Sequence, residues 1–422
     1  MGYYRFLNNE QVSVVELSRS LSTHCQEQVS GRHVLSLSDT SEINLQAHVG
    51  RIKPDDVGVV GNNQDVGFWI HPSLVLEAES GFPLGLSDVK VWRRAKERPD
   101  KHARQYKHLE IEEKESYKWL ESAQNSQHCV ERGGSTMVTH IGDREADIYE
   151  EWVKIPSRTN HVLIRACRDR KLANGSTLFD YLSQQVVEGT YCFQVAPDPR
   201  RHKIQREAWM AVRFAKVQIQ RPQRLRAADY PDSVSLYAVD VCEVQPPDGQ
   251  SPVHWRLLTT HPVVCIEQAL LAVRWYSWRW RIEQLFFSLK QGGLDLECSQ
   301  LESGSAIERL CVFALAAALQ LLQLTQGRHE TSRLASVAFS PRSLEFLLQL
   351  APTLDGRTLK QRNPYPSLSL AWATWLIARL GGWSGLQSQR PPGSRTLCRG
   401  LRQFHSLFCG WSLALPIDVY TP

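Results

Sequence analysis

Apolar and polar positions fall into two textures along the chain. Strand-like runs dominate up to residue 262, interrupted by two helical stretches, and helical spacing dominates afterwards. The first strand is "HVLSLSD", where Val34, Leu35 and Leu37 lead into Asp39. Next come "FWIHPSLVLEA" and "FPLGLSDVKVW", separated by "ESG", which reads as a hairpin turn. Residues 33–92 are thus expected to form three neighbouring antiparallel strands. "IEEKESYKWLESAQ" has helical spacing, "TMVTHIGD" returns to a strand ending at Asp143, "READIYEEWVKI" is helix-like and "HVLIRACRD" is a further strand. This order predicts a mixed α/β sheet with helices on its faces.

"AWMAVRFAKVQIQ" and "SVSLYAVDVCEV" then alternate apolar with polar residues, as one-faced antiparallel strands do. A single helix is expected from Glu267 to Lys290, stopped by Gly292 and Gly293. At about 100° per residue, Tyr276, Arg279, Glu283 and Lys290 share an arc of roughly 60°, beside the apolar arc of Trp278, Ile282, Leu285 and Leu289. A glutamate so placed, with a basic residue above and below it, suits a metal ligand in a phosphate-handling site. A salt-bridged helix flank is the plain alternative. "AIERLCVFALAAALQLLQL" is nearly continuous in apolar residues and should be buried between helices, and Trp372, Trp375 and Trp383 read as core.

Composition narrows the picture. The chain has 422 residues, enough for two to three domains, with 42 % hydrophobic and 22 % charged residues, values typical of a folded protein. Its net charge of +5 mildly favours a polyanionic partner. Seven Lys/Arg face two acids in residues 93–107, and twelve face five in residues 168–226, so a solvated basic loop and a basic β-rich insertion are expected. The ten cysteines form no C-x-x-C pair, which supports neither a zinc site nor a disulfide framework. No secretory leader is legible at "MGYYRFLNNEQ" and no run of 18 uninterrupted apolar residues occurs, so a cytoplasmic location is expected.

The spacing Tyr276-x2-Arg279-x3-Glu283-x6-Lys290 resembles the signature of the DDE transposases of bacterial insertion sequences, specifically the IS-four group that includes the Tn-five transposase. "SDTS" at Asp39, "GDREAD" from Asp143, "WRLLTTHPV" at Trp255 and the tail segments "GGWSG" and "RPPGSRTLCRGL" follow in the same order as in that family. The resemblance implies an RNase H-like mixed sheet with helices on both faces, a β-rich insertion between the second and third catalytic carboxylates, and a helical C-terminal region. The corresponding divisions are 1–30 as the remnant of a DNA-binding region, 31–170 and 263–300 as catalytic core, 171–262 as insertion and 301–422 as a helical region for dimerisation.

It further implies Asp39, Asp143 and Glu283 as catalytic carboxylates holding two Mg²⁺ ions, replaceable by Mn²⁺, in a two-metal phosphoryl transfer. Trp255 would stack on a flipped base, and Tyr276, Arg279 and Lys290 would hold DNA phosphates. Glu145 and Asp147 read instead as first-turn residues favoured by a helix dipole. The expected partners are double-stranded DNA, at transposon ends and target, and a second copy of the chain, with no membrane and with nucleoid association in a bacterium. Only 38 residues precede Asp39, fewer than family members usually carry. Two readings follow: an active cut-and-paste transposase, or an N-terminally shortened regulator that traps a full-length transposase in unproductive complexes.

Overall fold

The structure, a computed structural model, describes residues 2–52, 54–97, 109–195, 205–356, 358–386 and 388–414. Eleven strands of these residues form one sheet. They are β1 (His33–Ser38), β2 (Ser41–Asn44), β3 (Val59–Val60), β4 (Asp65–Glu77), β5 (Pro83–Trp92), β6 (Met137–Gly142), β7 (Asn160–Arg165), β8 (Gly189–Val195), β9 (Arg206–Gln220), β10 (Ser233–Val244) and β11 (His254–Thr259). The three antiparallel strands expected before residue 92 are β1, β4 and β5, with β4 central. β6 then lies parallel to β1, and β7 parallel to β6.

Beyond β7 the sheet runs antiparallel through β11, β10, β9 and β8. Strands of the expected insertion therefore continue the central sheet, because β11 returns from the insertion to pair with β7. Residues 196–204 of that region, and 98–107 of the basic stretch before it, lie outside the described residues. Within the stretch, Arg93 forms a two-pronged pair with Glu308 at 2.7 and 2.8 Å, and Arg94 pairs with Glu115.

The helices are α1 (Gly2–Leu7), α2 (Val14–Gln28), α3 (Pro54–Val57), α4 (Tyr117–Arg132), α5 (Tyr149–Lys154), α6 (Leu178–Ser183), α7 (Ile266–Ser277), α8 (Trp280–Lys290), α9 (Gly304–Gly327), α10 (Pro341–Leu354), α11 (Leu370–Leu380) and α12 (Ser394–Ala414). Local chemistry sets several starts. Ser13 and Glu16 form a reciprocal capping box at α2, and Ser340 with Pro341 opens α10. The stretch "READIYEEWVKI" does not form one helix. A 3₁₀ turn at Arg144–Ala146 is followed by α5, because Asp147 leaves helical geometry to bind elsewhere.

α9 is long and apolar enough to cross a membrane, with a mean hydropathy of 1.6 over its best 18-residue window, yet 61 % of that window is buried. It packs on α2, α8, α11, α12 and β5. Leu315, Leu319 and Leu322 join one core with the sheet, α7 and α8, while Leu321 and Leu324 join a second with α11 and α12. Trp372 and Trp375 are buried in that second core and Trp383 packs at its margin.

Candidate active site

Strand register brings the first two carboxylates together. β1 pairs with β6 as Leu37 opposite Ile141, and continuing that register by two residues sets Asp39 level with Asp143. Neighbouring strands lie about 4.8 Å apart, so the two aspartates leave the sheet side by side. A proline shapes the exit. β1 and β2 share one register on β4, from Ser38 opposite Ser73 to Ser41 opposite Ile70, which leaves Asp39 and Thr40 facing Pro72 and His71. Pro72 has no N–H to give the ladder, so pairing lapses at Asp39.

The gap is braced from below. Thr40 Oγ1 lies 2.9 Å from His71 Nδ1, and His71 Nε2 lies 3.2 Å from Ser122 Oγ on α4. His71 is fully buried, and burial, with Lys118 and Lys90 nearby, keeps its pKa well below the usual histidine range. Asp143 sits one residue past β6 and caps the 3₁₀ turn, its Oδ1 accepting from the Glu145 N–H at 2.7 Å. Neither Thr40 nor His71 carried a sequence signal beyond its place beside Asp39 and Pro72.

The third carboxylate arrives on a helix that is not continuous. The single helix expected from Glu267 to Lys290 is two, α7 and α8, joined at Trp278 and Arg279. Successive i→i+3 bonds, Arg279 N–H to Tyr276, Arg281 N–H to Trp278 and Ile282 N–H to Arg279, tighten this junction. Arg279 there lies between two carboxylates, with Nη1 2.8 Å from Asp39 Oδ2 and Nη2 3.2 Å from Glu283 Oε1. The Asp39 carboxyl is held up at about 6: burial is the largest cause, Arg279 and the Thr40 N–H oppose it, and Asp143 and Glu283 add to it.

The other stripe residues separate. Tyr276 is buried, and its ring meets Trp255 edge-on at 5.6 Å. Trp255 is half-buried on β11 and touches Phe193 at the same centroid distance. Lys290 lies 3.6 Å from Glu297, whose Oε1 also accepts from the Asn44 N–H. Sequence reading missed Arg165. The register of β6 on β7, Gly142 opposite Ile164, sets Arg165 level with Asp143, so Asp39, Asp143 and Arg165 form one row across three parallel strand ends. Arg165 Nη2 donates to the His254 carbonyl at 2.9 Å, and burial lowers its pKa against the pull of the nearby Tyr276 phenol.

Glu145 is exposed and lies 3.4 Å from Lys118. Asp147 is not a first-turn helix residue but a buried anchor. Its Oδ2 accepts from the Cys167 and Arg168 N–H groups at 2.7 and 2.9 Å, and its Oδ1 from Arg170 Nη2 at 2.5 Å. Its hydrogen-bonding capacity is spent on the turn after β7, whereas Asp39 shares one arginine with a second carboxylate.

Asp39, Asp143 and Glu283 offer hard oxygen donors, the set that Mg²⁺ and Mn²⁺ prefer. Among the described residues no three His, Cys, Asp or Glu side chains already converge as an ion-binding group, and Arg279 supplies the positive charge between two of the three carboxylates. The donor chemistry fits a divalent cation that takes over that charge.

Fold and site together define a mixed α/β protein with three carboxylates and two arginines gathered at the carboxyl ends of its parallel strands. No protein-family model matches the chain. It bears a distant structural likeness to the piggyBac transposase solved as a synaptic complex with hairpin DNA, with a TM-score of 0.38, 7 % identity and 94 % of this chain covered. The chain spans 57 % of that protein's length, and a likeness so slight carries no residue roles.

Proposed function

We propose that the protein is a DDE-type DNA transposase whose RNase H-like catalytic sheet is β5-β4-β1-β6-β7. The observation that carries this reading is the placement of Asp39 and Asp143 level on adjacent parallel strands, with Glu283 tied to Asp39 through Arg279. A three-stranded antiparallel unit followed by two parallel strands, the first strand central, supports the fold assignment.

In this reading Asp39, Asp143 and Glu283 would hold two divalent ions, which would supply charge stabilisation to both oxygens of an in-line phosphoryl transfer. Arg279, now shared between Asp39 and Glu283, would turn its guanidinium to a DNA phosphate, for which its forked geometry is suited. Arg165 and Lys290 add positive charge on either side. Trp255 leaves its edge contact with Tyr276 to stack on a base, a contact worth about 1–3 kcal/mol that offsets part of the cost of unstacking that base.

The test is incubation of the full chain with Mg²⁺ or Mn²⁺ and a pre-nicked duplex from the end of the element that encodes it, beside a Glu283→Ala control. A hairpin or joined-strand product from the parent, lost in the control, is expected. Equal product from both proteins, or none from a parent that binds the duplex, overturns the reading.

A further inference from the structure

The chain's surplus of basic over acidic residues lies in its C-terminal region. Residues 356–417 contain eight Lys/Arg and no acid, while the other 360 residues contain 41 Lys/Arg and 44 Asp/Glu. Outside the tail the chain is net acidic. Helix α12 concentrates the tail's charge: Arg395, Arg399 and Arg402 are all exposed, at spacings of four and three that keep them on one ridge. At 1.5 Å per residue the ridge is about 10.5 Å long, close to three phosphate intervals of one DNA strand at about 3.4 Å each.

The ridge is fixed in place. α12 packs on α11 at backbone contact, since a Cβ on Gly400 would lie 1.8 Å from the Ile377 carbonyl oxygen. Its amino end is clamped to the loop that follows α8. Ser394 Oγ donates to the Gly292 carbonyl at 2.9 Å, Arg395 to that of Gln291 at 3.3 Å and Arg402 to that of Gly293. Gly293, at φ +124°, presses so closely that a Cβ there would lie 2.8 Å from Cys398 Cβ. The flanking arginines thus hold the loop, while Arg399 between them has no carboxylate partner among the described residues and lines two shallow grooves. Arg390, exposed and likewise without a partner there, lines a third with Arg328. Asp295 is the one acid lining these three grooves among the described residues.

We infer that the α12 ridge, with Arg390, is a sequence-independent binding surface for the phosphate backbone of duplex DNA. Cations with no internal carboxylate, set in line on a rigid helix, are what a polyanion requires, and release of its counterions supplies the affinity. The clamp ties α12 to the helix that carries Glu283: Gln291 follows the last residue of α8, eight positions or about 12 Å along the axis beyond Glu283. The inference deepens the transposase reading and rests on it for the identity of the polyanion.

The test is fluorescence anisotropy with a blunt duplex of arbitrary sequence, without divalent metal, over a range of salt. Arg390→Gln/Arg399→Gln is expected to weaken binding by ~10-fold or more and to lower the slope of log affinity against log salt by about 2. Arg390→Lys/Arg399→Lys, which keeps both charges, should retain the slope, as should Arg158→Gln/Lys171→Gln, an equal charge change in exposed residues of the sheet region. Thermal melting verifies that each variant is folded. An unchanged slope in the glutamine variant, or equal falls in it and the sheet-region variant, overturns the inference. Strand cleavage is read separately: a parent that binds this duplex with the expected slope but yields no cleavage of the nicked end breaks the carboxylate reading alone, and normal cleavage by the parent with an unchanged slope in the glutamine variant breaks the ridge alone.

Discussion

The two ends of the parallel strands β1, β6 and β7 carry opposite chemistry. At the carboxyl ends Asp39, Asp143 and Arg165 stand level, with the charge of Arg279 spread over two carboxylates. Toward the amino ends stand imidazoles instead. His33 Nε2 and His261 Nε2 lie 2.9 and 2.7 Å from the buried Thr139 hydroxyl, and the His161 ring stacks on His261 at 3.9 Å. One hydroxyl can donate to one ring and accept from the other, so Thr139 serves both imidazoles. Burial lowers His33 to about 4 and His261 to about 3, and lowers His161 as well, so the rings rest neutral. A sheet can thus keep one end closed and spend the other on charge. Open α/β sheets place ligands beyond the carboxyl ends of their strands, which is the open end here.

The largest expected break in this contrast is chemical. Asp143→Asn should cut strand cleavage by at least about 10³-fold, measured on the nicked duplex, while melting changes by less than about 1 kcal/mol because the amide oxygen can still cap Glu145. A similar melting loss with cleavage retained would place Asp143 among the structural residues.

Thr139→Val acts at the other end and should do the reverse. Removing the hydroxyl strands two buried ring nitrogens, costing about 2–4 kcal/mol by denaturant titration with cleavage per folded molecule unchanged. A neutral result would mean that the two rings find other partners.

The smallest effect is in pH dependence. His33 and His261 have folded pKa values below the unfolded value of about 6.5, so their contribution is complete above that pH and is lost as pH falls toward 4 and then 3. Asp39 and Asp88, which burial pushes up to about 6, carry the opposite sign, their contribution falling as pH rises through that value. The comparison therefore needs a difference between proteins. His261→Phe should lose about 1–2 kcal/mol less than the parent between pH 7 and pH 5. Parallel stability curves for the two proteins would show that the ring does not titrate in this range.

Much of this was legible from residue order. Alternating apolar residues marked β1, β4, β5, β6 and β7, and Asp39 and Asp143 were visible as polar residues closing apolar runs. Glu283 was visible because Arg279 precedes it by four, a spacing that one helical turn closes into an ion pair. The junction at Trp278 and Arg279 was not visible, since a tightened turn needs no proline or glycine and leaves the periodicity almost intact. Nor was the role of Asp147, whose partners lie 20 and more residues away.

The sequence by itself determined most of the longer strands and helices and the carboxylates that close β1 and β6, because these follow from local periodicity and the chemistry of neighbours. Tertiary structure alone decided the rest. Pairing register set Asp39, Asp143 and Arg165 in one row, β11 joined the expected insertion to the central sheet, and Arg395 and Arg402 locked the basic helix to the end of α8. Those are contacts between residues distant in the chain, and no local pattern encodes which partner a strand or a guanidinium will meet.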